Sequence, residues 1–184
     1  MSGPQLVAGP VASKDAVMAT ADLETRLRRL EDIESIKQLK ARYCKYCDDN
    51  YDADALAGTF TEDAVWDGGN TFGVADGREA IRKHFRGASK RVTIARHQVM
   101  NPIVEVDGDE ATGHWLLFQP CTNSTGNGEE AVWLAATYAD TYRRAPEAVD
   151  GWLISGTTID VAFFTRFDQG WVDQRFLPGR QPSA

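Results

Sequence analysis

The hydrophobic period of this chain changes once, near residue 91, and that change limits the folds open to it. Before it, "LETRLRRLEDIESIKQLKARYCKYC" sets Leu23, Leu27, Leu30, Ile33, Ile36, Leu39, Tyr43 and Tyr46 at spacings of three and four. That spacing predicts an amphipathic helix. "DADALAGTF", Asp52 to Phe60, predicts a short second helix, and "REAIRKHF" a third with Asp76 as its N-cap. "DAVWD" and "NTFGVADG" predict two short strands around Gly68, Gly69 and Asn70. From Val92 onward strands take over. "VTIARHQVMNPIVEV" is rich in β-branched residues and carries Pro102 at a bulge or bend, "DGDE" is a hairpin turn, and "ATGHWLLFQPC" runs back. "TNSTGNGEE" predicts a polar loop, and "AVWLAATYADTYRR" and "GWLISGTTIDVAFFTRF" predict another strand pair. Helices first and consecutive antiparallel strands last argue an α+β domain. A strongly curved sheet wrapped on three helices makes a cone with a pocket at its centre.

A chain of 184 residues fits one such domain. Its expected limits are residues 21–167, between a flexible N-terminal tail over 1–20 and a C-terminal arm or lid over 168–184. Lys and Arg number 20 against 27 Asp and Glu, for a net charge of −7. An acidic chain without a basic stripe repels phosphate backbones, so nucleic acid is not an expected partner. No apolar run approaches the roughly 20 residues of a membrane span. Three cysteines make no disulfide framework, and the expected location is a reducing cytoplasm.

The densest chemistry lies in "RYCKYCDDNYD", Arg42 to Asp52. Cys44 and Cys47 sit near the end of a long helix, the negative pole, which is the wrong end for a reactive thiol. With Cys121 alone elsewhere, they lack the further ligands that a zinc site needs, so no metal is expected. The acids Asp49, Asp52 and Asp54 suit a solvated turn and a helix cap. Asp48 lies closest to the apolar face that carries Tyr43 and Cys47. Tyr43 and Asp48, five residues apart, point about 140° away from each other on an ideal helix, so spacing alone does not pair them. His84, among Arg82, Lys83 and Arg86, reads as a surface or rim residue. His97 and His114 fall in strands, where packing is the ordinary role of a histidine.

"DIESIKQLKARYCKYCDDNYDADALAGTFTEDAVWD" resembles the opening of the SnoaL-like proteins of the nuclear transport factor two-like superfamily. "RHQVMNPIVEVDGDEATGHWLL" and "ATYADTYRRAPEAVDGWLIS" are similar to its next two hairpins, and the likeness spans most of residues 23–167. Within that superfamily the chain looks most like the bile-acid 7α-dehydratases, with scytalone dehydratase and hexachlorocyclohexane dehydrochlorinase as cousins. The resemblance implies a cone-shaped α+β barrel in which Asp48 and His97 form a dyad and Tyr43 shares their pocket. Two positions depart from the dehydratase pattern. A second pocket tyrosine is missing near Trp66-Asp67-Gly68, and an arginine of the last strand is replaced near Asp160 and Val161. The implied activity is that of a cofactor-independent lyase, dehydratase-like, acting on a hydrophobic cyclic substrate with His97 as general base. A ketosteroid-isomerase-like or polyketide-cyclase-like enzyme, or a non-catalytic binding or assembly module, are the alternatives. Trp66, Phe72, Trp115, Phe118, Trp133 and Phe163 are the candidate walls for that substrate. Strands with Trp and Phe on both faces predict a homo-oligomer through the outer sheet face, for which the resemblance favours a trimer over a dimer.

Overall fold

The computed structural model describes residues 14–180; the expected tail over residues 1–13 lies outside them. Helix α1 runs over Lys14–Asp48. Residues 14–20, expected as tail, are therefore helical. No Gly or Pro falls between Lys14 and Asp48, so nothing interrupts the backbone ladder. Periodicity did not mean burial along all of it, because Leu23, Leu27 and Leu30 are exposed. The buried face comprises Ile36, Leu39, Tyr43, Cys44 and Cys47.

Asn50 and Tyr51, both in the left-handed region at φ 66° and 53°, reverse the chain after α1. Asp52 then caps α2 (Ala53–Ala57), its carboxylate accepting from the amides of Asp54 and Ala55. Next come β1 (Phe60–Asp67), a single helical turn α3 (Gly69–Phe72), β2 (Val74–Asp76) and α4 (Arg78–Phe85). The stretch expected to open a strand at Asn70 forms α3 instead. The N-cap of α4 is Gly77, because Asp76 is used in the β2 ladder opposite Val65. The remaining elements are β3 (Val92–Ala95), β4 (Gln98–Asp107), β5 (Glu110–Thr125), β6 (Gly128–Arg144), β7 (Trp152–Arg166) and α5 (Gly170–Asp173).

The seven strands form one mixed sheet in the order β2-β1-β7-β6-β5-β3, with β4 also paired to β5. The β1–β7 pair is parallel and the other pairs are antiparallel. The sheet is curved over α1, which touches β3, β4 and β7, and it does not close. "TNSTGNGEE" is ladder, not loop: Ser124 pairs with Glu129 and Thr125 with Gly128, so β5 and β6 run nearly to the tip of their hairpin. Polar residues suit a hairpin end whose two faces both meet solvent. Pro102 sits at a register shift between Met100 and Ile103, beside Asn101 at φ 52°.

Buried polar groups lock α1 to the sheet. Lys40 Nζ lies 2.8 Å from Asp140 Oδ2 of β6, with side chains 1% and 0% exposed. The Tyr142 hydroxyl donates to the same carboxylate (2.8 Å), and Trp115 Nε1 donates to that hydroxyl (3.1 Å). The Lys40 ammonium also lies 3.4 Å from the centre of the Tyr138 ring. Farther up the helix, Asp32 accepts two bonds from Arg144 (2.7 and 2.9 Å) and one from Trp152 Nε1 (3.0 Å). We expect Lys40→Met to cost about 3–5 kcal/mol in urea unfolding, because it strands the Asp140 carboxylate without a counter-charge. Adding Asp140→Leu should recover most of that loss. A Lys40→Met loss below about 1 kcal/mol, the scale of an exposed pair, would show that this pair does not hold the helix.

Candidate active site

The long strand expected from Val92 to Val106 is broken. β3 ends at Ala95 and β4 starts at Gln98, although both pair with β5. The break takes the His97 amide out of the ladder. A buried amide needs a partner, and here it donates to Asp48, 3.0 Å from Oδ1 and 3.3 Å from Oδ2. The His97 ring folds back to the same carboxylate, Nδ1 2.7 Å from Oδ1. One residue thus grips Asp48 by backbone and side chain together. A carboxylate only accepts, so the contact places the proton on Nδ1 and leaves Nε2 as the basic nitrogen. The His97 side chain is 6% exposed and that of Asp48 23%.

His97 lines a cavity of about 720 Å³ between α1, α4 and the inner face of the sheet. Tyr43 lines it too. Its hydroxyl accepts from Trp66 Nε1 at 3.1 Å, and its ring packs edge-on to Phe60, Phe85 and Tyr138. Tyr51 and Tyr138 add two more phenols to the wall. Burial pushes all three phenols above the ordinary tyrosine range, so each keeps a proton to donate. The Tyr51 ring stands edge-on to the His97 imidazole, with centroids 6.1 Å apart. A smaller space of about 620 Å³ lies on the other side of the dyad, lined by Lys40, Asp48, Arg96, His97 and Trp115 among others.

The expected site residues divide. Tyr43, His97, Trp66 and Phe72 line the main cavity, and Asp48 stands behind His97. Trp115 points inward but belongs to the Lys40–Asp140–Tyr142 network and the smaller space. Phe118, Trp133 and Phe163 do not reach the cavity. Strand alternation settles this: Trp115, Leu117, Gln119 and Cys121 are buried on the inner face, so Phe118 faces out. Phe118 and Trp133 stack there at 5.2 Å, and Phe163 stacks on Trp171 at 4.7 Å. Asp160 is exposed while its neighbours Ile159 and Val161 are buried.

Sequence reasoning missed several cavity residues, among them Tyr51, Tyr138 and the arginines Arg91, Arg166 and Arg180, and placed His84 less deeply than it lies. Tyr51 reaches the cavity only through the left-handed turn after α1. Tyr138 follows from β6 alternation once one inner residue is known. His84, expected as a surface or rim residue, is half-buried in the cavity wall, its ring 4.5 Å from that of Trp66. Its shared helix face with Ile81 and Phe85 was the available signal. Burial, then the nearby Arg91, hold the His84 imidazole below the ordinary histidine range. The cysteines are free and packed in the core, where burial raises the thiols of Cys44 and Cys121 to about 12 and that of Cys47 as well. Thiols of that kind are protonated and unreactive near neutral pH.

Among solved structures the chain is similar to a candidate aromatic ring hydroxylase from Novosphingobium aromaticivorans, at 26% identity and TM-score 0.66, covering 74% of this chain and 94% of that one. A candidate scytalone dehydratase from the same organism shares 20% identity at TM-score 0.65, over 79% and 91% of the two chains. A hexachlorocyclohexane dehydrochlorinase, LinA type 2, shares 22% at TM-score 0.67, over 77% and 93%. At those identities the last two speak for the fold alone. No curated protein matches the chain. Residues 28–158, which run from the middle of α1 into the first half of β7 and hold both Asp48 and His97, match the SnoaL-like domain, and the chain belongs to that family.

Proposed function

We propose that this protein is a cofactor-independent lyase, dehydratase-like, that acts on a hydrophobic cyclic substrate. The observation that carries the reading is the 2.7 Å contact between His97 Nδ1 and Asp48 Oδ1 at the wall of a cavity large enough for a fused-ring molecule. Nε2 of His97 takes a proton from a substrate carbon. Asp48 fixes the tautomer and offsets the charge of the imidazolium that forms, as the acid does in a hydrolytic triad. The electron pair left on carbon expels a hydroxyl group from the neighbouring carbon, and a double bond forms between the two. The leaving oxygen needs a proton, and in this reading Tyr43, kept protonated by its burial, donates a hydrogen bond to the developing oxyanion or hands its proton to the leaving group. The same base supports an isomerase or cyclase, which moves a proton and expels nothing. Incubation with hydroxylated steroid, polyketide and terpenoid panels separates them: loss of water from the product mass supports the lyase, and an unchanged mass with a new spectrum supports the isomerase or cyclase.

The outer sheet face supports a homo-oligomeric assembly. Leu116, Met100 and Ile103 are exposed there, beside the stacked Phe118 and Trp133. Trp171 and Phe167 extend this apolar surface at 52% and 63% exposure. A patch of that kind is uncommon on a monomer.

On a substrate found in this way, His97→Ala and Asp48→Asn should each lower kcat about 10²–10⁴-fold, with thermal unfolding still cooperative. Tyr43→Phe should lower it about 10–10²-fold. Full turnover by the folded His97→Ala protein would contradict the assignment of the base. Light scattering at micromolar concentration should give a multiple of the monomer mass, with the trimer favoured over the dimer; a monomer mass would contradict the assembly.

A further inference from the structure

The charges that line the main cavity are unevenly shared. In a chain of net charge −7, three arginines line it, Arg91, Arg166 and Arg180, against one carboxylate, Glu130. Arg166 is neutralised, its Nε lying 3.6 Å from Glu130 and 3.4 Å from Asp168. Arg180 donates to the Thr71 carbonyl and lies over the Phe72 ring at 5.8 Å, contacts that place a guanidinium without cancelling its charge. Arg91 meets no carboxylate among the described residues. It stands just before β3, exposed, and close enough to His84 to oppose a charge there. The Asp48 carboxylate is not part of this wall, since it stands behind His97.

Arg91 and Arg180 leave a surplus of positive charge on exposed parts of the cavity wall, while Tyr43, Leu117, Leu134, Ile159 and Phe164 make its buried parts largely apolar. Among the described residues neither Arg91 nor Arg180 neutralises a carboxylate of the fold. We propose that the cavity takes an amphipathic acid: an apolar ring body against the apolar wall and one anionic group, of the carboxylate class, held by the two cavity arginines that no carboxylate neutralises among the described residues, Arg91 first and Arg180 second. A guanidinium suits such a group through its planar fork of donors. This inference rests on the cavity being the substrate site, and it names the substrate class.

Binding tests it without turnover. The probes are 2-naphthoate and its neutral counterpart 2-naphthamide, titrated against the full chain by isothermal calorimetry or quenching of tryptophan fluorescence. The naphthoate should bind about tenfold more tightly than the amide. Arg91→Gln should remove most of that preference and leave amide binding unchanged, and Arg91→Gln with Arg180→Gln should abolish it. Raising the salt concentration should weaken the acid alone. Arg91 is exposed, so its substitution does not threaten the fold. Arg86→Gln, which removes an exposed arginine outside the cavity lining, serves as the control for net charge and should keep the acid preference. Equal affinities in the unaltered protein, no saturable binding of the naphthoate, or a preference that survives the double variant would each overturn the proposal. A lost preference in a protein that still eliminates water leaves the lyase reading standing. A preserved preference in a protein with no turnover removes the lyase reading and keeps the site.

Discussion

A buried ammonium fixes the rotation of α1 on the sheet, and the site depends on that rotation. Lys40 reaches Asp140 from a side chain that is 1% exposed, under the Tyr138 ring. Such a pair adds little net stability compared with apolar residues of the same shape, because removing two charges from water costs nearly what their attraction returns. What it does supply is registry, since an ion pair with no water available to replace a partner tolerates little slippage. Each residue of a helix advances about 100°. Once Lys40 is set, Tyr43 is set three residues on, and Asp48 is set at the last residue of the helix. The contact between Asp48 and the gap in the sheet then closes the far end of the same element.

The gap between β3 and β4 and the end of α1 answer each other. The sheet gives up a ladder bond at His97, and the helix end gives up a solvated carboxylate at Asp48; each satisfies what the other exposes. The His97 imidazole meets the Tyr51 ring edge-on, in a cavity whose wall also holds the phenols of Tyr43 and Tyr138. The same cavity is also lined by Arg91, Arg166 and Arg180, so its wall joins imidazole and phenol to guanidinium. The C-terminal segment adds to that wall: Leu177 is buried and hydrogen-bonds back to Phe164 (2.7 Å), which brings Pro178 and Arg180 to the cavity.

Much of the fold was legible because the hydrophobic period is a local property. The long helix, the hairpins and the bend at Pro102 are all written in spacing or turn chemistry. Burial was less legible, as Leu23, Leu27 and Leu30 show: they keep the helical period on a part of α1 that meets solvent. The site was legible only through resemblance, since Asp48 and His97 are 49 residues apart and no spacing joins them. The break that frees the His97 amide has no Gly or Pro to mark it. Phe118, Trp133 and Phe163 were sorted to the wrong face because composition carries no parity; one anchored residue, Trp115, would have turned Phe118 outward and Leu117 inward. Tyr51 needed a left-handed tyrosine, which no propensity favours. His84 was masked by the charges beside it in sequence, although its apolar helix face pointed the right way.

The central claim is that Asp48 holds His97 with its basic nitrogen facing the cavity. Long-range ¹H–¹⁵N correlation of the histidine rings, in protein labelled on histidine and assigned with His97→Ala, reads the tautomer directly near neutral pH. The account predicts the His97 proton on Nδ1, in a low-field hydrogen bond that disappears in Asp48→Ala, with Nε2 unprotonated. A His97 ring protonated on Nε2 alone, or one whose spectrum does not change when the Asp48 carboxylate is removed, would contradict it.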